Sequence, residues 1–244
     1  MKHAFVTGGG GDIGAAIGAR ALAAGYQVVL LDQDGARAQQ RAAALKGAIG
    51  LPCDVTDEAS VEAALDRAAE AFGGAPDLVV NCAGMAKFAA VADVDEALWD
   101  ATFNANVKGA FFQIQALLPI LNAGTSIVLN GSINARIGMP NSSVYAASKA
   151  ALISLAKTLS GELLSSGIRV NVVSPGPVST PIYGKLGLDA DTLAATAAQI
   201  QSQIPLGRFG QPAEIAATVL HLSAPESAFI VGTEIIADGG MSQL

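Results

Sequence analysis

The sequence predicts an α/β fold, a doubly wound parallel sheet of about seven strands with helices on both faces. Three observations carry this. Short apolar or β-branched runs alternate with longer Ala-rich segments of helical period. The runs are apolar throughout, as in strands covered on both faces, rather than at alternate positions. A glycine-rich turn, TGGGGDIG (7–14), joins the first run to the first helical segment.

The elements follow in order. HAFVT (3–7) opens the sheet, and a helix is expected over 13–24. The strand QVVLLD (27–32) leads to a helix over 35–46 that Asp34 can cap. AIGLPCD (48–54), a helix over 57–72 and DLVVN (77–81) continue the alternation. The helical stretches 96–122 and 143–166 precede the strands SIVLNG (126–131) and IRVNVVS (168–174). A helix over 211–223 and the strand TEIIAD (233–238) close the pattern. Parallel strands joined by helices call for right-handed crossovers. No repeat, linker or low-complexity tract interrupts residues 1–244, so one domain is expected. Residues 175–205 break the rhythm, with four prolines, several glycines and a short helical stretch after Asp189. Inserts of this length are usually functional. This one is expected to form a lid at about 177–205 over the C-terminal ends of the strands, its 182–200 part closing when ligand binds.

Composition bounds the partners. A chain of 244 residues can bury a core without disulfides. Its 51% hydrophobic and only 14% charged residues imply extensive burial, including between subunits. The Ala-rich helices at 96–122 and 143–166 suit close helix packing, and closed symmetry makes a homotetramer the expectation. A net charge of −7 without a basic run argues against nucleic acid and anionic membrane surfaces as partners. The start, MKHAFVTGGG, reads as a strand rather than a leader, and no run of 18 apolar residues occurs, so a cytoplasmic location is expected. Cys53 and Cys82 fit no zinc spacing and read as buried free thiols; no metal is expected. His3 and His221 read as structural, and Trp99 with Phe103, four apart, as a packed pair.

Three motifs carry chemistry. The strand–turn–helix context of TGGGGDIG fits a Rossmann-type dinucleotide site, where glycines let the backbone approach a pyrophosphate and the helix start offers free N–H groups. Asp32 ends the second strand, where an acid accepts hydrogen bonds from the adenosine ribose and repels a 2′-phosphate. The chain continues Gln33, Asp34, Gly35 with no neighbouring base, which points to NAD. VYAASKAAL (144–152) places Tyr145 and Lys149 on one helix face, and taken alone the pair is ordinary. Ser132 lies 13 residues before Tyr145, at the end of a predicted strand. Asn106 lies within a predicted helix, where Asn is a poor former.

With these pieces the chain resembles the classical short-chain dehydrogenases/reductases over essentially its whole length. The matching segments are TGGGGDIG, Asp54-Val55, NCAG (81–84), NANVKG (104–109), Ser132 with YAASK (145–149), SPGPVSTP (174–181), PLGRFGQPAEIA (205–216) and DGG (238–240). The resemblance implies a catalytic set of Asn106, Ser132, Tyr145 and Lys149. It implies NAD contacts at Gly8, Asp12, Ile13, Gly14, Asp32, Gln33, Asp54, Val55, Asn81, Ala83, Gly84, Tyr145, Lys149, Pro175, Gly176, Val178 and Thr180. Many relatives carry a glycine where this chain has Asp12, which is expected to point away from the pyrophosphate and cap the following helix.

The same resemblance implies how the set works. Tyr145 is the acid in ketone reduction and the base in alcohol oxidation. Lys149 lowers the phenol's pKa, Ser132 orients the substrate oxygen, and Asn106 holds a water leading to solvent. Asn134, Lys87, Ile182 and Tyr183 are the candidate substrate contacts. The mostly uncharged insert offers no arginine fork, so the expected substrate is a small neutral secondary alcohol or its ketone, with polyols and sugars next. The competing readings are a 3-oxoacyl-[acyl-carrier-protein] reductase, a sugar 1-dehydrogenase of the same family, and a non-catalytic NAD-binding regulator. The first would need basic residues around the cleft for an acidic partner. Arg169 is the only base in the segments before the fifth and sixth strands.

Overall fold

The structure, a computed structural model, describes residues 1–180 and 190–244. Seven strands form one sheet: β1 (Lys2–Thr7), β2 (Tyr26–Asp32), β3 (Ala48–Pro52), β4 (Leu78–Asn81), β5 (Ser126–Asn130), β6 (Arg169–Pro175) and β7 (Glu234–Ala237). Their spatial order is β3-β2-β1-β4-β5-β6-β7, and every neighbouring pair is parallel. The order reverses between β1 and β4. The crevice outside the C-terminal ends of the strands at such a reversal is where open α/β sheets bind ligands.

Alternate strand residues feed two cores. On one face α1 (Asp12–Ala23) and α8 (Pro212–Ser223) place Ile17, Ala21, Ile215 and Val219 against Val6, Leu30, Val80 and Val128. On the other, α3 (Glu58–Phe72), α5 (Gly109–Leu117) and α6 (Ser143–Leu163) place Leu65, Ile114 and Leu152 against Phe5, Val79, Ile127 and Val172. Each fully buried Leu, Ile or Val contributes about 1.5–3 kcal/mol relative to exposure. This two-sided burial is why the strands read as continuous apolar runs. α2 (Gly35–Ala44) packs along the β2–β3 edge, where Ala42 joins the first core.

The expected elements are all present, with two corrections. The strand expected over 48–54 ends at Pro52, so Cys53 and Asp54 leave the sheet. The helix expected over 96–122 is not continuous. It divides into α4 (Glu96–Phe103), a π-helical turn at Asn104–Lys108, α5 and a 3-10 turn at Leu118–Ile120. In the insert, α7 (Ala190–Ser202) supplies the helical stretch expected after Asp189. Ile182 and Tyr183, with that part of the expected lid, lie outside the described residues. His3 stacks on Phe72 with ring centroids 5.4 Å apart, and Trp99 stacks on Phe103 at 4.8 Å. Among the described residues no helix is long and apolar enough to cross a membrane.

Candidate active site

The glycine turn, Asp32, Asp54-Val55, NCAG, Ser132, Pro175 and DGG lie at or just after the C-terminal ends of strands, while NANVKG and YAASK lie in helices. After β1, Gly8 adopts φ 66°, and a Cβ there would meet the Cys82 carbonyl at 2.7 Å. Only glycine combines that conformation with that approach. Gly14, in the first turn of α1, packs on the Gly8 carbonyl. Gly11 is the N-cap of α1 and brings no side chain, so no cap consumes the helix's leading N–H groups at Asp12 and Ile13. Asp12 therefore does not cap. It is the first helical residue, and its carboxylate pairs with Arg41 of α2. Arg41 also donates to the Gly10 carbonyl at 3.3 Å. The acid is thus neutralised and tied to α2, which corrects its expected role while keeping its charge paired.

Asp32 accepts from the Gly10 N–H at 3.0 Å through one oxygen and from the Asp34 N–H at 3.1 Å through the other. Asp34 in turn caps α2, accepting from the Arg37 N–H at 3.0 Å. Each Asp32 oxygen keeps a lone pair for a further donor. The expectation that no base neighbours Asp32 holds along the chain but not in space. A Cβ on Gly10 would meet both Asp32 Oδ2 at 2.9 Å and Arg37 Cγ at 3.2 Å, because α2 turns Arg37 back toward the loop. Gln33 is exposed beside them.

The remaining flanking segments close the crevice. Asp54 accepts from the Thr56 N–H and hydroxyl at 2.9 and 2.8 Å, and Val55 abuts Gly109 at the start of α5. Asn81 turns its side chain inward and donates to Gln113 at 2.7 Å, leaving only its backbone toward the crevice. The Ala83 N–H reaches the Thr7 hydroxyl at 3.4 Å. Pro175 ends β6, and the Gly176 N–H donates to the Ala237 carbonyl at 3.0 Å. Val178 bridges to Gly210, and Thr180 bends back on the Val178 carbonyl.

Asn106, Ser132, Tyr145 and Lys149 are brought together at the centre. Lys149 is 4% exposed and donates from Nζ to the Asn130 carbonyl at 2.6 Å, with Nζ 5.8 Å from the Tyr145 ring centroid. Burial pushes its ammonium down to about 8, opposed by the nearby Cys82 thiol. Ser132 caps a 3-10 turn at Ile133–Ala135, accepting from the Asn134 N–H at 3.2 Å, and its hydroxyl acts on the Tyr145 phenol. The Tyr145 phenol stands above, not below, its ordinary value. Desolvation raises it, the Ser132 bond draws it partly back, and Cys82 adds to the rise. Within the protein alone the phenol is thus raised by burial, in place of the expected lowering by Lys149.

Asn106 sits in the π-helical turn, fully buried. Its amide nitrogen donates to the Met85 carbonyl at 3.0 Å and to the Ser148 hydroxyl at 2.9 Å, and its oxygen accepts from the Met85 N–H at 2.8 Å. Both amide hydrogens are used, so the side chain locks neighbouring segments together. The π turn provides the displacement; such single turns recur at functional sites. Gly84 permits the approach, since a Cβ there would meet Asn106 Oδ1 at 2.8 Å and Lys149 Nζ at 3.7 Å.

Sequence reasoning missed Phe88, whose ring meets Tyr145 edge-on with centroids 5.6 Å apart. It also missed Asn130, Met85 and Ser148 as the anchors of Lys149 and Asn106. Ser148 alone had a signal, its place between Tyr145 and Lys149. Lys87 is exposed, between Met85 and Phe88, and Asn134 donates to the Met139 sulfur at 3.4 Å. Among the described residues no group of three or more His, Cys, Asp or Glu side chains is placed to hold a metal.

Residues 10–242 match a family model described as enoyl-(acyl carrier protein) reductase. The 2-(S)-hydroxypropyl-CoM dehydrogenase 3 of Xanthobacter autotrophicus is 37% identical over 98% of this chain and 96% of its own. The 3-oxoacyl-[acyl-carrier-protein] reductase of Thermotoga maritima is also 37% identical, over 81% of each chain. A short chain dehydrogenase from Burkholderia cenocepacia, solved in complex with NADP, superimposes with a TM-score of 0.88 at 37% identity, over 98% of this chain and 97% of that one. The chain belongs to the short-chain dehydrogenase/reductase family of oxidoreductases.

Proposed function

We propose that the protein is an NAD(H)-dependent oxidoreductase that interconverts a small neutral secondary alcohol and its ketone, with Tyr145 as acid and base. The observation that carries this reading is the convergence of Tyr145, Ser132 and Lys149 beside the glycine turn. The turn fits a dinucleotide. Gly8 keeps the backbone clear of side chains, the start of α1 is uncapped, and Asp32 retains lone pairs for ribose hydroxyls. When bound, the nicotinamide supplies the hydride or accepts it, and its oxidised form adds a positive charge that favours phenolate. Tyr145 gives its proton to the substrate oxygen in reduction and takes it in oxidation. Ser132 holds that oxygen, and Lys149, anchored on Asn130, hydrogen-bonds the ribose and sustains charge beside the phenol. Phe88 forms an apolar wall, while Asn134 and Lys87 can bond further hydroxyls of a polyol or sugar.

An acyl-carrier-protein substrate is the second reading, favoured by one relative and by the family model's description. Against it, Arg169 is 9% exposed and donates to the carbonyls of Leu222, Ser227 and Ile230, so it cannot meet an acidic partner. One panel tests both readings, with neutral, phosphorylated, carboxylated and acyl-carrier substrates against NAD(H) and NADP(H), followed by nicotinamide absorbance. Neutral secondary alcohols and ketones are expected to lead. NAD(H) is expected to be preferred on the order of 100-fold in kcat/KM, or about 2.7 kcal/mol. Asp32→Ala should narrow that gap, because Arg37 then faces a 2′-phosphate unopposed. Equal rates with both cofactors, or a tenfold advantage for charged substrates, would overturn the assignment.

The homotetramer belongs to the same proposal. Trp99, Phe112, Leu118 and Ile120 of the α4–α5 region are exposed at 45%, 38%, 39% and 39%. A subunit contact would cover this stripe. Sedimentation at micromolar concentration should give four copies, and a monomer would contradict this.

A further inference from the structure

Glu234 lies on the edge strand β7, and its side chain is only 7% exposed. A carboxylate so buried is costly unless paired. Both oxygens are engaged. Oε2 accepts from Arg136 Nε at 2.8 Å and from a second guanidinium nitrogen, and Oε1 accepts from the Ser174 hydroxyl at 2.6 Å. Arg136 ends the short segment 130–136, and Ser174, on β6, packs against its start at Gly131. Ser174, fully buried on β6, sits directly beneath Gly131, where a Cβ would collide with its hydroxyl. The Gly131 N–H also donates to the Val173 carbonyl at 2.8 Å. Arg136 ends the 3-10 turn that Ser132 begins, its N–H bonded to the Ile133 carbonyl at 2.7 Å.

The segment held this way carries the working groups. Asn130, next to Gly131, offers the carbonyl that anchors Lys149, and Ser132 follows Gly131 with the hydroxyl that meets Tyr145. An ion pair with one exposed partner, as Arg136 is here, is weak as a stabilising device. It does fix geometry, because its bonds hold only in one arrangement.

We propose that Glu234 is a positioning residue: through Ser174 at one end and Arg136 at the other, it clamps the 130–136 segment so that Ser132 and the Asn130 carbonyl face Tyr145 and Lys149. The proposal rests on the reading of Tyr145 as the acid and base. The clamp bears first on the chemical step, since neither Glu234 nor Arg136 is bonded to the glycine turn or Asp32; its path to the cofactor runs through the Asn130 anchor of Lys149. Loosening it weakens the Ser132 bond that lowers the Tyr145 pKa, so the phenol rises. The other groups facing the phenol, Lys149 and Cys82, stay on their own elements, α6 and the segment after β4.

The test compares Glu234→Gln, Arg136→Ala and Arg136→Lys with the wild type and with Tyr145→Phe. The measurements are kcat, KM, NADH affinity by fluorescence, melting temperature, and the pH at which alcohol oxidation reaches half its alkaline rate. Glu234→Gln and Arg136→Ala are expected to lower kcat roughly tenfold, as small misplacements do. NADH affinity should stay within about twofold. The half-rate pH should move upward, and Arg136→Lys should recover part of both losses. A kcat within twofold of wild type and an unmoved half-rate pH in Glu234→Gln and Arg136→Ala would overturn the clamp, as would a loss that only tracks reduced melting temperature. If Tyr145→Phe is inactive in that case, only the clamp fails. If Tyr145→Phe turns over normally, the acid–base reading fails and the clamp with it.

Discussion

Tyr145→Phe is expected to lose nearly all turnover, on the order of 1,000-fold in kcat, within the range general acid–base groups contribute. The substitution removes one hydroxyl and leaves the ring. That ring keeps its edge contact with Phe88 at 5.6 Å and its place on the first turn of α6. Ser132 keeps a partner in the Asn134 N–H at 3.2 Å, so no buried group is orphaned. Folding and NADH binding should therefore stay close to wild type, as melting temperature and fluorescence titration would show. A variant that kept a tenth of wild-type kcat would mean that another group moves the proton.

Lys149→Ala is expected to damage two properties at once. The ammonium is nearly fully buried and donates to the Asn130 carbonyl at 2.6 Å. Its loss removes positive charge beside the phenol and a donor for the nicotinamide ribose. Hydrogen bonds to charged groups contribute about 1.5–3 kcal/mol, so NADH affinity should fall roughly 10- to 100-fold and kcat by at least as much. Lys149→Met, which fills the same space without the charge, separates chemistry from packing. It should restore melting temperature but neither affinity nor rate. Unchanged NADH affinity in Lys149→Ala would remove the proposed second role.

Most of the fold was legible because its strands are buried on both sides, so apolar runs and helical periods alternate without ambiguity. Boundaries differ by little: QVVLLD begins one residue late and IRVNVVS one residue early against β2 and β6. The 96–122 stretch shows where periodicity stops informing. A π turn inserts a displacement at Asn104–Lys108 that apolar spacing does not register, although the poor helix former Asn106 marks the spot. Tyr145, Lys149 and Ser132 were legible because their segments resemble the family's, their spacing alone being ordinary. Their supports were not, because these come from far along the chain. Asn106 binds residues 21 and 42 positions away, and Arg136 meets Glu234 across 98. The relation of Arg37 to Asp32 was missed for a similar reason. Adjacency in sequence shows no base beside Asp32, but a helix turn brings Arg37 back from five positions on.

The proton role of Tyr145 is tested most directly by the pH dependence of wild-type turnover measured in both directions. Oxidation needs the phenolate, so its rate should rise with pH through the Tyr145 pKa and fall away below it. Reduction needs the phenol, so its rate should be full at lower pH and decline across the same interval. Burial raises this pKa and the Ser132 bond partly lowers it, while burial also pushes the Lys149 ammonium down to about 8. The predicted result is a pair of opposed profiles crossing in one alkaline window, with both abolished in Tyr145→Phe. Profiles that rise or fall together in the two directions, or that persist in Tyr145→Phe, would contradict it.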